Sequence, residues 1–304
     1  MSRGGLTDAA WVRIEPLLPV VDGRGRAWRD HRQVIDGVLW RLRTGAPWRD
    51  VPARYGPRQT VYERYSRYSR WEADGTWAAL LEHVRVRDDA VGRVDWSVSV
   101  DSTVVRAHRH AAGARKRGVA DGDEPGDVGR AAPGPTPAGR EGLGRSRGGL
   151  TTKLHLAVDG RGLPLSIVVT PGQAGDAPAL DAVLAGIRVP RPGPGRPRVR
   201  PTRLIADRAY SSRAIRARLR AAGVRVVIPE RADQRANRRR RGRAGGRPPA
   251  FDRQAYRERN VVERCFARLK QFRAIATRFD KLAARYTAGV VLASLILWLR
   301  EPQS

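Results

Sequence analysis

Apolar residues along the chain recur first at helical spacing and then at strand spacing. Trp11, Ile14, Leu17 and Leu18 form one face behind Thr7 and Asp8, which predicts a capped helix stopped by Pro19. Val34, Ile35, Val38, Leu39 and Leu42 predict a second helix over about residues 30–43, ended near Gly45. A third opens at Thr60, with Tyr62, Tyr65, Tyr68 and Trp71 standing among Arg64, Arg67 and Arg70, and a fourth runs over about residues 76–86. Residues 1–90 therefore read as a small all-helical unit.

From residue 94 the period falls to two. Trp96, Val98 and Val100 alternate with Ser97, Ser99 and Asp101, and Thr103, Val104 and Val105 follow. Residues 150–158 and 163–170 flank Asp159-Gly160-Arg161-Gly162, a hairpin signature, so the first three strands form an antiparallel meander. Asp176, with Pro178 in the first turn, opens a helix carrying Leu180, Val183, Leu184 and Ile187, and its carboxylate reads as the helix cap. Residues 202–207 form a short strand ending in an acid, 211–222 a helix and 224–228 a fifth strand. Residues 111–148 and 230–250 read as flexible insertions, the second a basic loop, with Arg238 to Arg241 in series, that stays disordered until it meets phosphate. Val262, Phe266, Leu269 and Phe272 then mark a helix along whose border Tyr256, Arg259, Glu263 and Lys270 line up at helical offsets. The apolar run 288–299 is too short for a bilayer and reads as a core helix.

Charge narrows the partner. The 304 residues carry Lys+Arg 59 against Asp+Glu 30, a formal net charge of +29, which points to a polyanion and first of all to nucleic acid. Arginine supplies nearly all of it, lysine standing only at 116, 153, 270 and 281. Cys265 is the sole cysteine, which excludes an internal disulfide and a cysteine-based zinc site and suits the cytoplasm.

The element order is three strands in a meander, helix, strand, helix, strand, helix. That is the order of a ribonuclease H-like α/β domain, a mixed five-stranded sheet flanked by helices, here over residues 94–300. In that fold the first and fourth strands lie side by side. Asp101 and Asp207 then stand at neighbouring strand ends, with Glu263 on the helix packed across them. Oxygen-only ligands suit Mg2+, with Mn2+ an alternative, and three like charges in one cleft repel without a cation. Asp95 begins its strand, roughly 20 Å from the other end at ~3.3 Å per residue. Asp159 belongs to the hairpin tip. His108 and His110 read as phosphate or base contacts rather than magnesium ligands.

Five segments carry a family resemblance: Val100-Asp101-Ser102-Thr103, residues 108–114, residues 146–153, Ala206-Asp207-Arg208-Ala209-Tyr210, and the set Tyr256, Arg259, Glu263, Lys270. Together they resemble the bacterial insertion-sequence transposases of the DDE type, in the insertion sequence five group of the four/five superfamily. Where that family usually has Gly after its second Asp, this chain has Arg208. The resemblance implies Asp101, Asp207 and Glu263 as metal ligands, Arg259 and Lys270 on the phosphates of a transposon end, and Tyr256 against its last nucleotides. It further implies a helix-turn-helix-like DNA-binding region over residues 1–90, with Arg64 and Arg67 as contacts beside His108, His110, Arg147 and Lys153. The expected activity is end cleavage followed by joining to target DNA, by a homodimer on double-stranded DNA, nucleoid-associated and without a membrane. Two alternatives stand beside it: a non-catalytic repressor derived from such an enzyme, and a structure-selective nuclease.

Overall fold

The computed structural model describes residues 5–18, 29–73, 76–112 and 141–300, with the side chains at 66–73, 76 and 78 excepted. Arg67, Tyr68, Arg70 and Trp71, and most of the insertion expected at 111–148, lie outside that description.

The helical start forms as its caps dictate. Thr7 accepts from Ala10 N ahead of α1 (Asp8–Ile14), and Asp30 accepts from Arg32 N and Gln33 N ahead of α2 (His31–Thr44). Gly45 ends α2 at φ 68, a left-handed position that favours glycine. After α3 (Arg58–Ala73) and α4 (Thr76–Ala90) the chain enters the sheet. The four helices share one apolar core with the last helix of the chain, α12 (Ala283–Arg300). Gly289 of α12 makes the approach close: a Cβ there would sit 3.2 Å from Leu42 and from the Tyr65 hydroxyl. That hydroxyl donates to the Arg285 carbonyl at 2.8 Å. By length and composition α12 could cross a membrane, being longer than the run 288–299 suggested, yet most of it is buried within the protein.

The sheet is built on β1 (Ser97–Ala107). A short α5 (Arg109–Ala112) and β2 (Gly144–Ser146) lead to β3 (Gly149–Val158), which pairs antiparallel with β1 and with β4 (Pro164–Pro171). α6 (Asp176–Ala185) then leads to β5 (Arg203–Ala206), parallel to β1, and α7 (Arg213–Ala221) to β6 (Arg225–Val227), parallel to β5. The order β4-β3-β1-β5-β6 holds the expected meander and sets β5, the expected fourth strand, beside β1. Two short strands make the sheet seven-stranded: β2 pairs with β3, and β7 (Thr277–Arg278) pairs with β1.

Three expectations need correction. β1 does not stop at Asp101; the β-branched Thr103-Val104-Val105 continue it, paired with β3 as far as Arg106↔Thr151. Residues 232–240 of the supposed basic loop form a helix, α8 (Ala232–Arg240), with a 3-10 turn at Gly242–Gly245. Tyr256 and Glu263 do not share one helix: α9 (Arg253–Arg257) ends at Glu258, and α10 (Asn260–Lys270) begins after Arg259. At the break Glu258 pairs with Arg203 on β5 and Arg259 with Asp101 on β1.

β1 has an unusual edge. β5 accompanies it up to Val100 and β7 from Arg106, so among the described residues no strand pairs with residues 101–105 on that side.

Candidate active site

Asp101 and Asp207 come together through strand register. Val100 lies opposite Ala206 in the parallel β1–β5 pair, and each acid is the next residue along. Asp207 leaves the sheet there and caps the 3-10 turn Arg208–Tyr210, accepting from Ala209 N at 2.8 Å. Such a turn uses right-handed backbone that any residue adopts, so Arg208 fits where the related families favour glycine.

The third acid arrives on the helix crossing this face. α10 buries Val261, Val262, Cys265, Phe266 and Leu269, which leaves Arg259, Glu263 and Lys270 toward the cleft. Arg259 donates to Asp101 Oδ2 at 2.5 Å and to Glu263 Oε1 at 2.8 Å. Seven residues, about two turns, beyond Glu263, Lys270 Nζ donates to Thr103 Oγ1 at 2.7 Å, two positions along β1 from Asp101. Burial pushes the Asp101 carboxyl above its usual range, the Ser102 N–H and Arg259 pull it back, and Asp207 pushes it up again. The guanidinium of Arg259 is held above its ordinary value: burial opposes its charge, but Asp101, Tyr256, Glu263 and Asp207 together outweigh that.

A cation thus already stands among the three acids, supplied by the chain itself. As arranged, no three His, Cys, Asp or Glu side chains among the described residues converge on one metal position. The donor set nonetheless fits a hard divalent ion, being all carboxylate and already gathered around a positive group.

The opposite face of β1 holds a second polar cluster, which sequence reasoning missed. Asp176 does not cap α6; Gly175 is the cap residue, and no side chain caps there. Its carboxylate instead accepts from Ser102 Oγ at 2.6 Å and Lys153 Nζ at 3.2 Å, with His155 Nδ1 at 3.8 Å. Charged and hydroxyl donors bind a carboxylate more strongly than the backbone N–H groups a cap would reach. Tyr210, the last residue of the turn after Asp207, is buried with its hydroxyl unpartnered. Burial and the nearby charges of Asp176, Asp101 and Asp207 raise its pKa.

The other expected contacts are placed as follows. Tyr256 lies on α9 against Phe251, ring centroids 5.3 Å apart. Lys153 is engaged with Asp176 and the Ala174 carbonyl. Arg147 is exposed in the turn between β2 and β3. His108 and His110 pack on each other at 4.4 Å beyond the far end of β1, roughly 23 Å along the strand from Asp101 at ~3.3 Å per residue. Arg64 is buried, its guanidinium against His31. The Cys265 thiol is buried and pushed up to about 12, a core group as expected.

Comparison with known proteins gives the family. Residues 93–298 match the family described as transposase DDE domain, and residues 6–81 match putative transposases of the IS4/5 family. A putative transposase for insertion sequence element IS6501 from Brucella ovis is 35% identical over 155 residues, covering 50% of this chain and 100% of that protein. A putative transposase for insertion sequence element IS402 from Burkholderia cepacia is 32% identical over 177 residues, covering 56% of this chain and 70% of that protein. No solved structure matches significantly. With the DDE match spanning the whole sheet, the chain belongs to the insertion-sequence DDE transposases of the IS4/5 family.

Proposed function

We propose that this transposase cuts DNA at the ends of its insertion sequence and joins the freed 3′ ends to target DNA. Asp101, Asp207 and Glu263 form the catalytic set and would hold Mg2+ or Mn2+. When bound, such ions polarise the attacked phosphate and offset charge on the attacking and leaving oxygens. Both steps are in-line displacements at phosphorus: water attacks first and the 3′ oxygen leaves, then that 3′ hydroxyl attacks a target phosphate. Arg259 and Lys270 would hold phosphates of the element end, and Tyr256 would pack against its last nucleotides. Residues 1–90 would bind the terminal inverted repeats and residues 94–300 would carry the chemistry. Two ends must meet, so the working form is a homodimer on DNA, acting at the nucleoid.

The observation that supports this reading is the bridging of Asp101 and Glu263 by one guanidinium, with Asp101 and Asp207 each one residue past the paired Val100 and Ala206. The test is strand cleavage and joining on a duplex carrying the element end, wild type beside Asp207→Ala. We expect cleavage and joined products from the wild type only. Equal background cutting by both proteins would sink the reading, and cutting without joined products would indicate a nuclease.

A further inference from the structure

α8 is a helix that buries nothing. Its sequence, Ala-Asp-Gln-Arg-Ala-Asn-Arg-Arg-Arg, supplies no apolar stripe, and no residue of it is buried. A nine-residue helix of this kind does not hold itself in water, and a helix polar all round needs contacts from outside. Side chains provide them. Gln234 clasps Ser211, accepting from its Oγ at 2.7 Å and donating to its carbonyl at 2.7 Å, and Arg238 pairs with Glu230. Ser211 directly follows the turn that begins at Asp207, so α8 is fastened to the catalytic turn.

The same contacts leave the rest of its charge unpaired. Arg235, Arg239, Arg241, Arg243 and Arg247 are exposed, and none has a carboxylate partner among the described residues. Between the N-terminal end of α8 and residues 208–209 lies an open cleft of about 470 Å³ lined by Arg208, Ala209, Arg231, Ala232 and Asp233. The cleft reaches Arg208, the residue after Asp207; beyond it Arg235 and Arg239 stand on α8, and Arg241, Arg243 and Arg247 on the segment that follows.

We infer that α8 and this cleft form the docking surface for target DNA, gripped through its phosphates. This rests on the proposed function of the neighbouring acids and adds where the second DNA lies. The charge asks for a polyanion, and the groups displayed are guanidinium groups rather than a set of mixed donors and acceptors aimed at base edges. Target DNA of arbitrary sequence needs such backbone binding. Arg259, Lys270 and Tyr256, none of which lines the cleft, are left for the element end.

The test uses the full-length protein with Arg235→Gln, Arg239→Gln and Arg241→Gln combined. Binding to a duplex lacking the element end is measured against salt, for wild type, the triple variant and Asp207→Asn. Loss of three phosphate contacts should flatten the slope of log affinity against log salt by about 2.7. Asp207→Asn should keep the wild-type slope, which separates docking from catalysis. Thermal unfolding should not change, since α8 contributes nothing to the core. Joining should fall further than end cleavage. An unchanged salt slope overturns the inference, and so does a loss confined to duplexes carrying the element end.

Discussion

Arg259 holds Asp101 at 2.5 Å, a charge-assisted bond inside the cleft where the proposed chemistry requires a metal ion. The same guanidinium reaches Glu263, so a side chain occupies the place between two acids that an ion would need. Loading the site then means displacing Arg259, and the displaced group becomes free to meet a DNA phosphate.

Removing that competitor should strengthen ion binding in the absence of DNA. For Arg259→Gln we expect calorimetric titration with Mn2+ to show affinity raised by about tenfold, the worth of one charge-assisted hydrogen bond. End cleavage by the same variant should fall. Weaker Mn2+ binding in the variant would show that Arg259 supports the ion instead of opposing it.

Asp176 offers a sharper stability test. Were it a helix cap, Asp176→Ala would cost about 1 kcal/mol. Because it pairs with the largely buried Lys153 and receives Ser102, the substitution should cost about 2–3 kcal/mol, with some screening because the carboxylate is partly exposed. Urea unfolding decides between the two figures.

His155 should set an acid limit on stability. It is fully buried, and burial outweighs the pull of Asp176 to push its pKa down to about 4. The unfolded chain binds a proton near pH 6.5 and the folded chain does not until about 4, so the stabilisation is complete above 6.5 and is lost as pH falls through that window. The loss should be on the order of 3 kcal/mol. Denaturation midpoints of wild type and His155→Gln, followed from pH 7 to pH 4, should converge as the medium is acidified.

Arg278 is a buried knot. Its guanidinium donates to the carbonyls of Glu141, Gly142, Asp280 and Lys281 and to Thr152 Oγ1. Arg278→Met keeps the bulk but strands those acceptors, so the expected destabilisation is about 4 kcal/mol. A chemical denaturation midpoint matching the wild type would contradict this.

What could be read beforehand was local or periodic. The alternation around Val98 and Val100, the hairpin at Asp159 and the offsets joining Arg259, Glu263 and Lys270 each depend on residues a few positions apart. The errors came where a distant partner overrode a local rule. Asp101 looked like a strand terminus because a charged residue inside a strand has no local reason; the reason is the unpaired edge beside it. Asp176 looked like a cap because Lys153, 23 positions away, was invisible to a capping rule. Ala232–Arg240 looked like a loop because its charge run outweighed its helix-forming residues, while its contacts lie outside it, at Ser211 and Glu230.

The interval from Asp101 to Val105 makes the region of the proposed catalytic acids a notch cut in an otherwise continuous sheet. Its length, five residues at ~3.3 Å, is roughly 17 Å, and it is bounded by where β5 stops and where β7 starts. The dimensions are therefore written in two strand termini, near Asp207 and Thr277, and not in any surface loop. Extending either strand by a residue or two would narrow the notch from its rim, leaving the proposed catalytic acids in place but walled off from DNA.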